Sequence, residues 1–130
     1  MIIGVGSDII DITRIDNTIK RFGNRFINRC FTKIEIDKSN QRNNRSSSFA
    51  KRFAAKEAFS KALGTGFSQG VFFKDIGVIN NINGKPNIKL TGNALTRYNK
   101  LAPKGKKLSI NITLTDENNL AYAMVIISSK

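Results

Sequence analysis

From Phe49 to Leu63 the chain runs through alanine and phenylalanine with no proline or glycine, and Gly64 follows at once. Such a segment reads as one strong helix with a glycine stop. A helix this apolar must lay a face against a sheet or other helices, so it organises everything around it. At 100° per residue Phe49, Phe53, Glu57 and Lys61 move progressively around one side. That places Glu57 within the apolar stripe. Arg52 and Lys56 form a second pair, four residues apart, on a neighbouring face.

The rest of the chain supplies what the helix packs on. Ile2 to Ile12 is short, apolar and β-branched, the pattern of a buried strand. Ile15, Ile19, Phe22, Phe26 and Ile27 recur at helical spacing; they predict a helix ending near Gly23 and a short turn over 24–30. Thr32 and Glu35 form a capping box that opens a short helix. Ser39 to Ser48 is polar and reads as a loop whose serines can cap the long helix. A strand is expected over 71–79, then a turn at Asn83-Gly84-Lys85-Pro86 and a partner strand from Asn87 to Leu90. A helix from Thr91 to Leu101 and strands at Leu108–Leu114 and Leu120–Ile127 complete the order. This succession predicts an α+β fold, an antiparallel sheet with helices packed on it. At 130 residues a single domain spanning 1–130 is expected.

Composition excludes several chemistries. There is no histidine, so Ser-His and Cys-His nucleophile systems cannot be built. One cysteine, Cys30, rules out an intramolecular disulfide and leaves little for a thiolate zinc site. No apolar run is long enough to span a membrane and the start does not read as a signal peptide, so a cytoplasmic location is expected. The net charge is +13, which favours anionic partners. Between Arg14 and Lys61, thirteen Lys and Arg stand against Asp16, Glu35, Asp37 and Glu57. This segment reads either as a solvated basic surface or as a docking face for an acidic partner. Nucleic acid is the rival partner, but no RNA-binding aromatic signature or zinc-finger spacing accompanies the charge.

Two carboxylates attract attention. Asp8 lies inside an apolar strand, where an ionised side chain is costly unless a cation, a metal or donors compensate it. It reads either as a structural residue pairing a core arginine or as a ligand. Glu57 forms either an ordinary i,i+4 pair with Lys61 or part of a site; its place in the apolar stripe suits the second better. If the two meet, they can share Mg²⁺, which takes one or two protein carboxylates and completes its shell with water and phosphate oxygens. Arg52, Lys56 and Lys61 would then face the remaining phosphate charge. Asp11 is suited to cap the first helix, and Asp16 to its exterior. Gly64-Thr65-Gly66 reads as a helix C-cap, although its amides can also approach a phosphate.

These residues also resemble a known family. Gly4-Val5-Gly6-Ser7-Asp8-Ile9-Ile10-Asp11-Ile12 with Arg14-Ile15 is similar to the first motif of bacterial holo-acyl-carrier-protein synthases. Arg52-Phe53-Ala54-Ala55-Lys56-Glu57-Ala58-Phe59-Ser60-Lys61-Ala62-Leu63-Gly64-Thr65-Gly66 is similar to the second. Asn83 to Pro86 and the closing strand fit as well. The resemblance implies a 4′-phosphopantetheinyl transferase that moves the phosphopantetheine arm of coenzyme A to a serine of apo acyl carrier protein. It implies that Asp8 and Glu57 bind Mg²⁺ and that Lys61 lies near the reacting phosphate. Arg52, Lys56, Gly64, Thr65, Gly66 and Pro86 would belong to the coenzyme A site. Arg14 and Arg21 would meet the acidic carrier protein, and a homotrimer would carry its active sites between subunits. Where many members have Ser-His-Thr, this chain has Thr113-Leu114-Thr115. The proton of the acceptor serine is then left to Glu57, a metal-bound water or a carboxylate of the partner.

Overall fold

In the computed structural model, which describes residues 1–130, the first apolar run is strand β1 (Ile2–Asp11). It stops because the Asp11 carboxylate accepts from the Thr13 amide at 2.8 Å and caps helix α1 (Ile12–Phe22). Ile12, Ile15 and Ile19 form the buried stripe of α1. Gly23, at φ 57°, ends that helix and starts another, α2 (Asn24–Cys30). A turn was expected over 24–30; a full helix forms because Ile27 and Cys30 are drawn into the core. The Thr32–Glu35 capping box is present as expected and opens α3 (Lys33–Asn40).

The long helix, α4, spans Arg45–Leu63, so it starts at Arg45 rather than Phe49. Asn44 supplies the cap by accepting from the Ser47 amide at 3.0 Å. Of the serines that read as loop, Ser47 and Ser48 are buried in the helix and satisfied there. Ser48 Oγ lies 2.8 Å from Ser39 Oγ and accepts from Arg52 at 2.6 Å. Tertiary partners outweigh a weak local preference.

Two antiparallel sheets form where one was expected. The larger has the order β1-β5-β4, with β4 at Leu108–Glu117 and β5 at Leu120–Ser129. The smaller pairs β2 (Ile76–Asn80) with β3 (Pro86–Leu90). The outer edge of β2 cannot extend the sheet there, because the Val78 amide donates to Glu35 Oε2 at 3.0 Å. Only the second half of the strand expected over 71–79 forms. Its first half holds a 3₁₀ turn, Phe73–Asp75, whose Phe73 carbonyl is turned toward Lys56. Helix α5 (Gly92–Asn99) follows β3.

Helix α4 lies directly on β1. A β-carbon on Gly4 would run into the carbonyl of Ala62, and one on Gly6 into that of Ala58. The two glycines therefore let helix backbone and strand backbone touch. Ala54, Ala55, Ala58 and Ala62 meet Ala121, Ala123, Val125 and Ile127 in a core made largely of small side chains. The other face of this sheet carries Val5, 51% exposed, and Ile9, 59% exposed, beside the half-buried Tyr122, Met124 and Ile126. No helix is long and apolar enough to cross a membrane.

Candidate active site

Asp8 follows Gly4 and Gly6 on the face of β1 that meets α4, since alternate strand residues share a face. The close approach made possible by the glycines brings it to the helix. Lys61 Nζ donates to Asp8 Oδ1 at 3.2 Å and to the Ser7 carbonyl at 3.0 Å. The Asp8 side chain is 18% exposed and that of Lys61 53% exposed. One turn earlier on α4, Glu57 is half-buried. Burial pushes its pKa above the ordinary value of 4.5, and the Asp8 charge adds to the rise; Lys61 and Arg14 oppose it. Asp8, Glu57, Lys61 and Arg14 thus share one electrostatic neighbourhood. Asp8 lies near enough for its charge to reinforce the rise of the Glu57 pKa that burial begins.

No group of three or more His, Cys, Asp or Glu side chains that could hold a metal ion is present. The protein's own donor set at this corner is the Asp8–Glu57 pair. Two carboxylates in one electrostatic neighbourhood, one with its pKa raised by burial and then by the other's charge, suit a hard divalent cation whose remaining ligands come from water and substrate. On donor chemistry and electrostatics the residues fit Mg²⁺.

Lys56 is a correction to the sequence reading. Its amine is wholly buried on another side of α4, 2.8 Å from Glu35 Oε1, and donates to the Phe73 and Ile76 carbonyls at 3.0 and 2.5 Å. Burial lowers its pKa, and Glu35 works against that fall. All three of its hydrogens are taken, so it has none for a phosphate. Its position beside Glu57 in sequence concealed a residue turned inward.

Arg52 and Pro86 do share a cavity, of about 700 Å³, between α3, the start of α4 and the β2–β3 turn. Arg52 is 6% exposed. It donates to Ser48 Oγ at 2.6 Å and to Asn80 Oδ1 at 3.2 Å, while its buried Nε has no partner. Burial lowers its pKa, and the Glu35 charge opposes that fall. Lys38, Arg42 and Lys51 also line the cavity, with Asp116 as its one acidic residue. Leu114 stands in the wall. Four cations against one carboxylate give the cavity a positive lining, and Lys38, Lys51, Asn80 and Asp116 carry no motif that marks them in the sequence. They come from four different elements, and only the run of basic residues hinted at two of them.

Gly64, Thr65 and Gly66 lie elsewhere, just beyond Lys61. Gly64, at φ 90°, donates to the Lys61 carbonyl at 3.1 Å, and Gly66 donates to that of Ser60 at 3.1 Å. The glycines therefore form a helix C-cap. Arg52 and Gly64 are twelve residues apart on one helix, roughly 18 Å along its axis. None of Asp8, Glu57 or Lys61 lines the cavity around Arg52. Arg14 and Arg21 share a groove on α1 with Asp11, Asn17 and Phe22, where the Arg21 guanidinium sits 5.0 Å from the Phe22 ring centre. Arg14 is the link between that groove and Glu57.

This architecture agrees with relationships seen in sequence and structure. Residues 4–123 match the family model of the 4′-phosphopantetheinyl transferase superfamily. A holo-[acyl-carrier-protein] synthase of Sinorhizobium fredii is 60% identical over 99% of this chain and 93% of its own length. That of Rhizobium meliloti is likewise 60% identical, with the same coverage. Among solved structures, the Neisseria meningitidis holo-[acyl-carrier-protein] synthase superposes with a TM-score of 0.85 at 36% identity, over 98% of this chain and 99% of that one. The Helicobacter pylori synthase in complex with coenzyme A superposes with a TM-score of 0.81 at 31% identity, over 95% of this chain and 99% of that one. The chain belongs to the 4′-phosphopantetheinyl transferase superfamily and, within it, to the holo-acyl-carrier-protein synthases, and it is an enzyme of that family.

Proposed function

We propose that this enzyme transfers the 4′-phosphopantetheine arm of coenzyme A to a serine of apo acyl carrier protein in a Mg²⁺-dependent reaction, releasing adenosine 3′,5′-bisphosphate. The observation that carries the reading is the meeting of Asp8, Glu57 and Lys61 beside Arg14. Coenzyme A bound to the Helicobacter pylori relative supports the donor.

Asp8 and Glu57 would hold the ion. When bound, Mg²⁺ supplies charge neutralisation to the diphosphate of coenzyme A. The serine oxygen attacks the β-phosphorus, and the bond from that phosphorus to the bridging oxygen breaks. Lys61, half-exposed and tethered only at its amine, can turn to the departing phosphate and stabilise or protonate it. The serine proton is left to Glu57, to a water at the ion or to a carboxylate of the carrier protein, since the chain has no histidine to take it. Arg52 offers its unpartnered Nε to the phosphates of the nucleotide half. Arg14 and Arg21 give the acidic carrier protein a basic groove beside the reacting corner.

A homotrimer with interfacial sites accounts for two further features. The Arg52 cavity and the carboxylate corner are separate within one chain, so one coenzyme A would bridge two copies. The sheet face bearing Val5, Ile9, Tyr122, Met124 and Ile126 offers an apolar surface for the contact.

Mass spectrometry of apo carrier protein incubated with coenzyme A and Mg²⁺ tests the reading. A gain of about 340 Da, the mass of one arm, is expected with the native enzyme. Asp8→Ala should remain folded and give no gain. No gain with the native enzyme, or full transfer by Asp8→Ala, would overturn the assignment.

A further inference from the structure

Within the Arg52 cavity the charges are not equivalent. Arg52 is held by neutral groups, Ser48 and Asn80, and its charge is free to act on a ligand. Lys51 is already engaged: its amine lies 3.2 Å from Asp116 Oδ1, while Ser47 donates to Asp116 Oδ2 at 3.3 Å. Asp116, at the end of β4, reaches the first two turns of α4, where its carboxylate takes the Ser47 hydroxyl and the Lys51 amine. The only acidic residue of a cavity otherwise rich in cations therefore holds one of those cations. The pair is partly exposed, at 30% for Lys51 and 42% for Asp116, so it can open without leaving a charge stranded in the core.

We infer that Asp116 is a built-in competitor for the phosphates of the nucleotide, a residue that sets product release by withholding Lys51. This rests on the proposal that the cavity takes the nucleotide half of coenzyme A. An arriving phosphate draws Lys51 from Asp116; when the arm has been transferred, Asp116 reclaims Lys51 and the bisphosphate leaves. Asp116 weakens donor and product alike, and keeps the product from clogging the site. Asp116 touches neither the arm nor the reacting phosphorus; it is a positioning residue acting through Lys51.

The test is direct titration of adenosine 3′,5′-bisphosphate, with steady-state kinetics alongside. Asp116→Asn should tighten bisphosphate binding about three- to fivefold, the scale of one exposed ion pair. The KM for coenzyme A should fall in parallel, without a rise in kcat. In a Lys51→Ala background the same Asp116→Asn change should have no effect on binding, which a merely structural role would not predict. Unchanged bisphosphate affinity in Asp116→Asn would overturn the inference, as would equal tightening with and without Lys51. If the native enzyme transfers the arm and these results fail, only the role of Asp116 falls. If it neither binds the bisphosphate nor transfers the arm, the functional reading falls with it.

Discussion

Lys56 and Glu57 are neighbours in sequence and opposites in circumstance. Lys56 points inward to Glu35, and every hydrogen of its amine has an acceptor. Glu35 is equally occupied: its two oxygens take the Thr32 amide, Lys56 and the Val78 amide. Glu57 is half-buried, takes part in none of the chain's ion pairs and has a pKa raised by burial and then by the Asp8 charge. The first arrangement joins α3, α4 and β2 and has nothing left for a ligand. In the second, burial and then a neighbouring like charge disfavour the ionised Glu57, a cost left for a cation to relieve. A buried charge that is fully partnered is architecture; one left short of compensation marks chemistry.

The sharpest way to break this contrast is at Lys56. Lys56→Met strands the Glu35 carboxylate in the core and should cost about 3–5 kcal/mol of stability, read from urea unfolding. Adding Glu35→Gln should restore part of it, since the stranded charge is then gone. Little loss from Lys56→Met would show that the inner pair is no more structural than the outer one.

At the outer pair the expected loss is of activity. Glu57→Gln should reduce transfer by about 10²- to 10³-fold, by analogy with removing one electrostatic stabiliser of a transition state. The same change should also raise the melting temperature at neutral pH. The sign follows from the raised pKa. An ionised Glu57 costs the folded state stability; that cost is absent below the ordinary value of 4.5 and sets in as pH rises through the folded-state value. The stability advantage of Glu57→Gln should therefore disappear on acidification below about 4, where the unfolded-chain carboxyl is protonated as well. A variant less stable than native at neutral pH would contradict the strained-pair account.

Smaller effects are expected at the groove. Arg14→Ala and Arg21→Ala should each raise the KM for carrier protein about two- to fivefold, the scale of an exposed charge contact. The difference should shrink with added salt. Arg14→Ala should in addition raise the Glu57 pKa further, because it removes one of the charges that oppose the rise. A shift of the acidic limb of the pH–rate profile would report it, and Arg21→Ala should leave that limb in place.

Local signals made much of this legible in advance. The Thr32–Glu35 capping box, the Asp11 cap and the glycine stop at Gly64 all depend on groups within a few residues of one another, and all are found. The long helix was legible from its alanines and phenylalanines, and its start was misplaced because Ser47 and Ser48 find their partners in other segments. Glu35 shows why side-chain roles escape such reading. As a capping residue it was correctly placed, yet its second task, holding Lys56 and closing the edge of β2, involves residues 21 and 43 positions away.

Sequence alone determined the elements, the basic character and the two motifs in which Asp8 and Glu57 occur, because periodicity, capping and charge are properties of neighbours along the chain. Only the tertiary structure decided that Gly4 and Gly6 let α4 rest on β1, that Asp8 pairs with Lys61 and its charge reaches Glu57, and that Lys56 turns inward to Glu35. Those outcomes depend on backbone separations and burial. A run of residues carries neither until the chain has closed on itself.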